Sequence, residues 1–219
     1  MMDDMNSKVN YIVDEVIKRI SREMTIPVEL SGRHVHLSKE SVDILFGKGY
    51  ELTPKRELSQ PGQYLCHEKV TLIGPNGTFH NVAVLGPIRS ITQVELSKTD
   101  CRSLGIEAPV RESGDIKGSA SIVILGQKGI LMIQEGVIVA KRHLHITPED
   151  AKRFNVKDKE IIGIEIISDR SMVLNNVVVR VNENYRTRIH MDYDEGNACS
   201  YEKGTTAKII KNEGTKSNE

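Results

Sequence analysis

Two short stretches carry the residue types for metal chemistry: His34-Val35-His36-Leu37-Ser38 and, 109 positions later, His143-Leu144-His145-Ile146-Thr147. Side chains alternate faces along a strand, so histidines at i and i+2 point the same way. Two imidazoles on one face can bind a single transition metal, and borderline-soft zinc suits such donors. A lone H-x-H is as readily a pair of surface histidines. Here the pattern occurs twice, takes four of the chain's seven histidines, and is followed both times by the same local grammar. Ser38 and Thr147 are N-cap types, Pro148 suits a first helical position, and Glu40 and Glu149 fall in a first turn. Each copy predicts a strand, a histidine pair and a short helix.

Two further groups stand on predicted strands. In Ile88–Ser97, Thr92, Val94 and Leu96 alternate with Gln93 and Glu95, so Glu95 either faces water or has a task. His190, in Arg188-Ile189-His190-Met191-Asp192, is a strand histidine among charged neighbours. His67 and His80 lie near hairpin ends without repeated context and are expected at the surface.

The elements that must position these groups are mostly short strands. A helix is predicted over 6–23 from the apolar stripe Val9, Ile12, Val13, Val16, Ile17 and Ile20, and Pro27 ends it. Such a helix either packs on its own domain or docks on another protein. Ile26–Leu30 leads as a strand into the first histidine pair, and helix Lys39–Phe46 stops at Gly47. Lys69–Ile73 and Thr78–Leu85 flank Pro75-Asn76-Gly77, where Asn-Gly signals a hairpin. A single-turn helix is expected over Thr99–Leu104, capped by Thr99 and closed by Gly105. Ser121–Leu125 pairs with Ile130–Ile133, and Val137–Ala140 runs into the second histidine pair. Helix Pro148–Phe154 is followed by strands Ile161–Ile167, Met172–Leu174, Val177–Val181 and Arg188–Met191, with Lys208–Lys211 closing the fold. Residues 212–219 have the composition of a disordered tail. Many short strands and few short helices predict a mainly β protein built of barrels, not a parallel α/β sheet. The repeated H-x-H segment suggests two similar lobes facing each other.

Composition excludes several functions. Lys plus Arg equals Asp plus Glu at 30 each, so no global field draws in nucleic acid or an anionic membrane. Apolar runs fall short of a membrane span, and the acidic start Met1-Met2-Asp3-Asp4 is unlike a signal peptide. Cys66, Cys101 and Cys199 show no C-x-x-C spacing, which disfavours a disulfide framework and predicts a cytoplasmic protein.

Taken together, the motifs P-V-x-x-S-x-R-H-V-H-L, Q-P-G-Q-Y, L-G-P-x-R-S-x-T-Q-V-E-x-S, G-V-I-V-A-x-R-H-L-H, N-N-V-x-x-R-V and H-M-D occur in one order over about residues 25–211. This order resembles the phosphotransacylases of the propanediol-utilisation type, the PduL-like phosphate propanoyltransferases. The stretch Val28–Gly32 departs from that pattern. The resemblance implies two β-barrels with short capping helices. One barrel would come from about 25–32 plus 141–211, the other from about 33–140, with 1–24 as an N-terminal amphipathic helix and possible targeting segment. It implies a dinuclear zinc site and a homodimer. His34, His36 and Glu95 would hold one zinc, His143, His145 and His190 the second, and Arg89 would grip phosphate. The implied reaction is acyl-CoA plus phosphate to acyl phosphate plus CoA, with a short acyl chain such as propanoyl or acetyl. The implied location is the cytoplasm or a bacterial microcompartment lumen.

Two rival readings use the same residues. A cupin-type isomerase or dioxygenase would use His34, His36, Glu40 and His80, but Val28 and Val84 stand where that pattern has Gly and Asn. A non-catalytic module would use zinc only to tie barrels together, which requires a closed ligand shell and gives Arg89 no purpose.

Overall fold

The computed structural model describes residues 24–210, together with Tyr11–Val13 and Glu15. Tyr11–Val13 are helical with exposed side chains. Most of the helix expected over 6–23, and the tail expected over 212–219, lie outside the described residues.

Among described residues 24–210, fourteen strands and four short helices are found, and twelve of the strands build two six-stranded barrels. The first closes β1 (Ile26–Ser31), β13 (Arg188–Asp192), β10 (His143–Ile146), β12 (Met172–Val181), β11 (Ile161–Ile167) and β14 (Thr206–Ile210) back onto β1. The second ring runs β2 (His34–His36), β5 (Thr78–Gly86), β4 (Tyr64–Ile73), β8 (Ala120–Leu125), β9 (Ile130–Ala140) and β6 (Gln93–Glu95), and returns to β2. β3 (Pro54–Glu57) lies on the edge of β4, and β7 (Val110–Arg111) on the edge of β9. Each barrel has its own apolar core, one around Val35, Leu72, Val94 and Ile138, the other around Leu144, Ile164, Val179 and Ile189. Closure leaves no unpaired edge within either ring, which suits strands this short.

The two histidine strands are placed alike. β2 lies parallel to β5 and antiparallel to β6, with His34 opposite Glu95. β10 lies parallel to β12 and antiparallel to β13, with His143 opposite His190. Val35 and Leu144, between the histidines, are fully buried in the two cores. Alternation therefore turns each imidazole pair away from its own core.

The helices after the histidine pairs are capped as expected. Ser38 accepts from Ser41 N at the start of α1 (Lys39–Phe46), and Thr147 accepts from Asp150 N at the start of α3 (Pro148–Arg153). The helix between them, α2 (Lys98–Leu104), corrects one expectation: its N-cap is Ser97, not Thr99. Ser97 and Asp100 form a reciprocal capping box, and Gly105 closes the helix in the left-handed region at φ 73°. A fourth helix, α4 (Tyr193–Ala198), begins with a second capping box, Asp192 with Glu195. The expected break between Met172–Leu174 and Val177–Val181 is a bulge within continuous β12. Asn176 takes φ 60° there, and the register against β11 shifts around Gly163.

Candidate functional site

Both histidine pairs open onto one cleft of about 810 Å³, lined by groups from both barrels. His34, His36, Arg89, Glu95, His143, His145 and His190 all line it. The structure thus brings the seven residues that the resemblance implies into one cleft.

On the face of the second barrel, His34, His36 and Glu95 converge. They are the set among the described residues whose ligand atoms all lie within 4.8 Å of one another. The two Nε2 atoms of His34 and His36 are 3.2 Å apart, and Glu95 Oε2 is 3.4 Å from His34 Nε2. Glu95 is only 8 % exposed, so the solvated strand face that its alternation allowed is ruled out. Its two oxygens are used differently. Oε1 accepts from Gln93 Nε2 at 2.6 Å and from the Ser113 hydroxyl at 2.8 Å. Gly114 N donates to Gln93 Oε1 at 2.7 Å, which fixes the amide so that its nitrogen faces the carboxylate. Oε2 is left toward His34, and Oε1 also lies 3.9 Å from His36 Nε2. His34 Nδ1 donates to the Gly32 carbonyl at 2.7 Å, so its Nε2 carries a lone pair.

The opposite face repeats this logic. His143 Nδ1 donates to the Lys141 carbonyl at 2.8 Å, freeing its Nε2. The rings of His143, His145 and His190 cluster with centroids 4.6, 5.2 and 4.9 Å apart. Tyr185 packs on His145 at 4.2 Å between centroids. Gln60 reaches across from the second barrel: its amide donates to Arg186 O at 3.0 Å, accepts from Arg186 N at 3.2 Å, and meets His190 Nε2 at 3.3 Å.

Burial keeps these rings neutral. Loss of water, then the charges of His34 and Arg89, bring the pKa of His36 down to about 2. Burial with His143, His190 and Arg180 nearby brings His145 down to about 2 as well. Burial, His190 and Arg180 bring His143 to about 3, and burial with Arg188 and Arg180 brings His190 to about 4. Neutral imidazole is the form that binds a metal. His36 Nδ1 and His145 Nδ1 are buried without a hydrogen-bond partner; the Leu85 backbone near His36 pulls its pKa slightly upward but makes no bond of acceptable geometry. Buried nitrogens left this way are costly unless something else binds them. The donor set of five imidazoles and one carboxylate, with His34 and His143 oriented by backbone carbonyls, fits zinc.

Arg89 supplies the anion-binding chemistry. It follows β5, is held by its N–H to Leu37 O at 2.9 Å, and donates from its guanidinium to Ser113 Oγ at 3.2 Å. Ser113 therefore links Arg89 to Glu95 through one hydroxyl. Burial lowers the pKa of Arg89 from its usual value, yet a guanidinium stays charged.

The cupin-type set is not assembled. Glu40 is exposed in the first turn of α1, and His80 is exposed on β5, 3.3 Å from Thr71 Oγ1. His67 is exposed, as expected. Sequence reasoning missed Gln60, Ser113 and Arg180 as cleft residues, and Gln93 as the buried partner of Glu95. Arg180 carried a signal, as a charge inside Val177-Val178-Val179-Arg180-Val181, the same kind that drew notice to Glu95. Ser113 carried none, since it sits in the loop after β7.

Comparison with known proteins gives a consistent result. A family model described as phosphate propanoyltransferase matches residues 27–202. The chain is 54% identical over 207 residues to the phosphate propanoyltransferase of Clostridioides difficile, covering 94% of this chain and 99% of that one. It is 51% identical to that of Listeria monocytogenes, over 94% of this chain and 97% of the relative. It is 48% identical to that of Thermotoga maritima, over 92% and 97% respectively.

Proposed function

The chain belongs to the phosphate propanoyltransferase family, a family of phosphate acyltransferases, and from that premise we propose that its cleft moves a propanoyl or acetyl group between CoA and inorganic phosphate. The observation that supports this most is the placing of Arg89 beside the His34, His36 and Glu95 set in one open cleft. A purely structural metal site has no use for a half-buried cation and an open cavity.

In this reading Arg89 holds phosphate, because its planar fork matches two phosphate oxygens at once. A phosphate oxygen attacks the thioester carbonyl carbon, the C–S bond breaks, and CoA leaves with the bonding electron pair on sulfur. No covalent acyl-enzyme is required. Cys66, Cys101 and Cys199 are buried away from the cleft, and burial raises all three thiols, Cys66 to about 11. They are poor nucleophiles on both counts. Holding thioester and phosphate in place can account for about 7–11 kcal/mol of the barrier in favourable cases.

The residues that would hold metal are His34, His36 and Glu95 for one zinc and His143, His145 and His190 for a second. When bound, zinc would supply a Lewis acid soft enough to favour a departing sulfur. The tautomers set by the Gly32 and Lys141 carbonyls support this assignment, as do the unpartnered Nδ1 atoms of His36 and His145. Every one of these side chains lies beyond residue 33, so residues 1–24 contribute none of them. The apolar stripe Val9–Ile20, with Tyr11, Ile12 and Val13 exposed, supports a docking role for that segment on another protein, such as a microcompartment component.

The test is steady-state kinetics of Arg89→Ala and Arg89→Lys with elemental analysis. Arg89→Ala is expected to raise the phosphate KM at least tenfold while zinc content stays near wild type, and lysine to rescue in part. An unchanged phosphate KM in Arg89→Ala would remove it from the reaction.

A further inference from the structure

Arg180 is one of the charged cleft residues that the reaction above leaves without a task, and it stands beside the histidines. It stands on β12 in register beside His145, inside an otherwise apolar run, with its side chain 21% exposed. A guanidinium carries five N–H donors. Among the described residues its one hydrogen-bond partner is Glu112, through a single contact of 3.2 Å to Oε2. Glu112 is the more solvated of the two, 46% exposed, and comes from the other barrel, in the loop after β7. The remaining donors of Arg180 are left to the cavity that it lines with Arg89, His143 and His145. Arg89 has no carboxylate within salt-bridge distance among the described residues; burial disfavours its charge most, Glu95 is near enough to favour it, and Arg180 is near enough to disfavour it. Two incompletely paired arginines in one partly buried cleft form an oxyanion site, because a dianion placed between them relieves their mutual repulsion.

We propose that Arg180 is the second arm of the phosphate site and that Glu112 is its exchangeable resting partner. Phosphate, or the phosphoryl end of acyl phosphate in the reverse direction, displaces the Glu112 carboxylate and is held between Arg89 and Arg180. This rests on the phosphate-transfer reading and adds to it a competitor built into the chain. The exchange favours phosphate because it carries more charge and more acceptor oxygens than a carboxylate. It is inexpensive because the pair that breaks is half-exposed, and such pairs are weak.

The two partners therefore predict effects of opposite sign. With zinc-loaded full-length protein at saturating acyl-CoA, Arg180→Gln should raise the phosphate KM about tenfold or more. Glu112→Gln should lower it about two- to fivefold, the range expected for removing an exposed ion pair. The double variant should behave as Arg180→Gln. Calorimetric titration with inorganic phosphate in the absence of acyl-CoA should show the same order of Kd, and the acyl-CoA KM and zinc content should stay within about twofold. A Glu112→Gln variant whose phosphate KM rises or does not move would overturn the exchange and leave the pair as a clasp between barrels. Should Arg180→Gln fail to fold, Glu112→Gln decides alone, since its change is at a solvated side chain. Wild-type protein that releases CoA without regard to phosphate would sink the underlying reading, and this inference with it. A phosphate-dependent wild type with an unmoved Arg180→Gln would sink only the inference.

Discussion

Glu95 and Gln60 show how single side chains set the properties of the cleft. Glu95 gives Oε1 to Gln93 and Ser113 and keeps Oε2 for His34. Gln60 spends its amide on the backbone of Arg186 and reaches His190 with the same nitrogen. Gln60→Ala would leave the Arg186 N–H and C=O unpaired near His190, at a cost of about 1–3 kcal/mol for each group that water cannot reach. Urea unfolding of the variant should show that loss with an unchanged m-value. The neutral histidines give a pH dependence whose sign is fixed. Their folded pKa values lie below the ordinary value of 6.5, at about 2 for His36 and His145, about 3 for His143 and about 4 for His190. The unfolded chain therefore binds more protons between those values and 6.5, so their contribution is present above about pH 6.5 and is lost as pH falls. Chelator-treated protein should lose stability steadily from about pH 6 downward, by up to about 1.4 kcal/mol per pH unit for each ring held neutral. A flat profile between pH 6.5 and 4.5 would contradict the burial of these rings.

Helix ends and strand registers place those side chains, and their legibility in the sequence varied with how local the cause was. Caps and hairpin turns are local. Ser38, Thr147, Pro148 and Asn76-Gly77 marked their elements within a residue or two. Ser97 was passed over for Thr99 because both are N-cap types; the reciprocal bond with Asp100, three residues on, decides between them. α4 was hidden by its own composition, since Gly196 and Asn197 are weak helix formers, although Asp192 and Glu195 spelled out a capping box. β3 is exposed at every position and β7 has two residues, so neither has a period to detect. The burial of Glu95 was not legible because it depends on the other barrel lying across a strand that looks half-solvated. One contact between elements has a clear consequence. Asp194, in the first turn of α4, accepts from Thr99 N at 2.8 Å and from Ser97 Oγ at 3.1 Å, so it caps α2 of the other barrel. Asp194→Ala should cost about 0.5–2 kcal/mol, the usual range for a lost cap, and amide exchange should quicken at Thr99 and Asp100 before it does in either core.

At the scale of the whole molecule, two closed barrels act as two jaws, each with a histidine strand between a parallel and an antiparallel neighbour. The likeness of the jaws was legible from the repeated H-x-H grammar; the facing cleft, with Arg180 and Ser113 in it, was not, because it is made by contacts between distant parts of the chain. Both rings close without residues 1–24. A chain starting at Thr25 should therefore keep its zinc and most of its turnover while its assembly state or location changes. Size-exclusion chromatography and metal analysis of that truncation would check this, and loss of zinc would assign the segment to the fold. The central claim is that the cleft joins a two-metal histidine site to a phosphate grip for acyl transfer. Its most direct measurement is CoA release from propanoyl-CoA and acetyl-CoA, with and without phosphate, by wild type and His143→Ala of measured zinc content. The account predicts about two zinc ions per wild-type chain, CoA release that requires phosphate, and loss of both metal and phosphate-dependent release in His143→Ala. Release that ignores phosphate, or a fully active His143→Ala without its zinc, would contradict it.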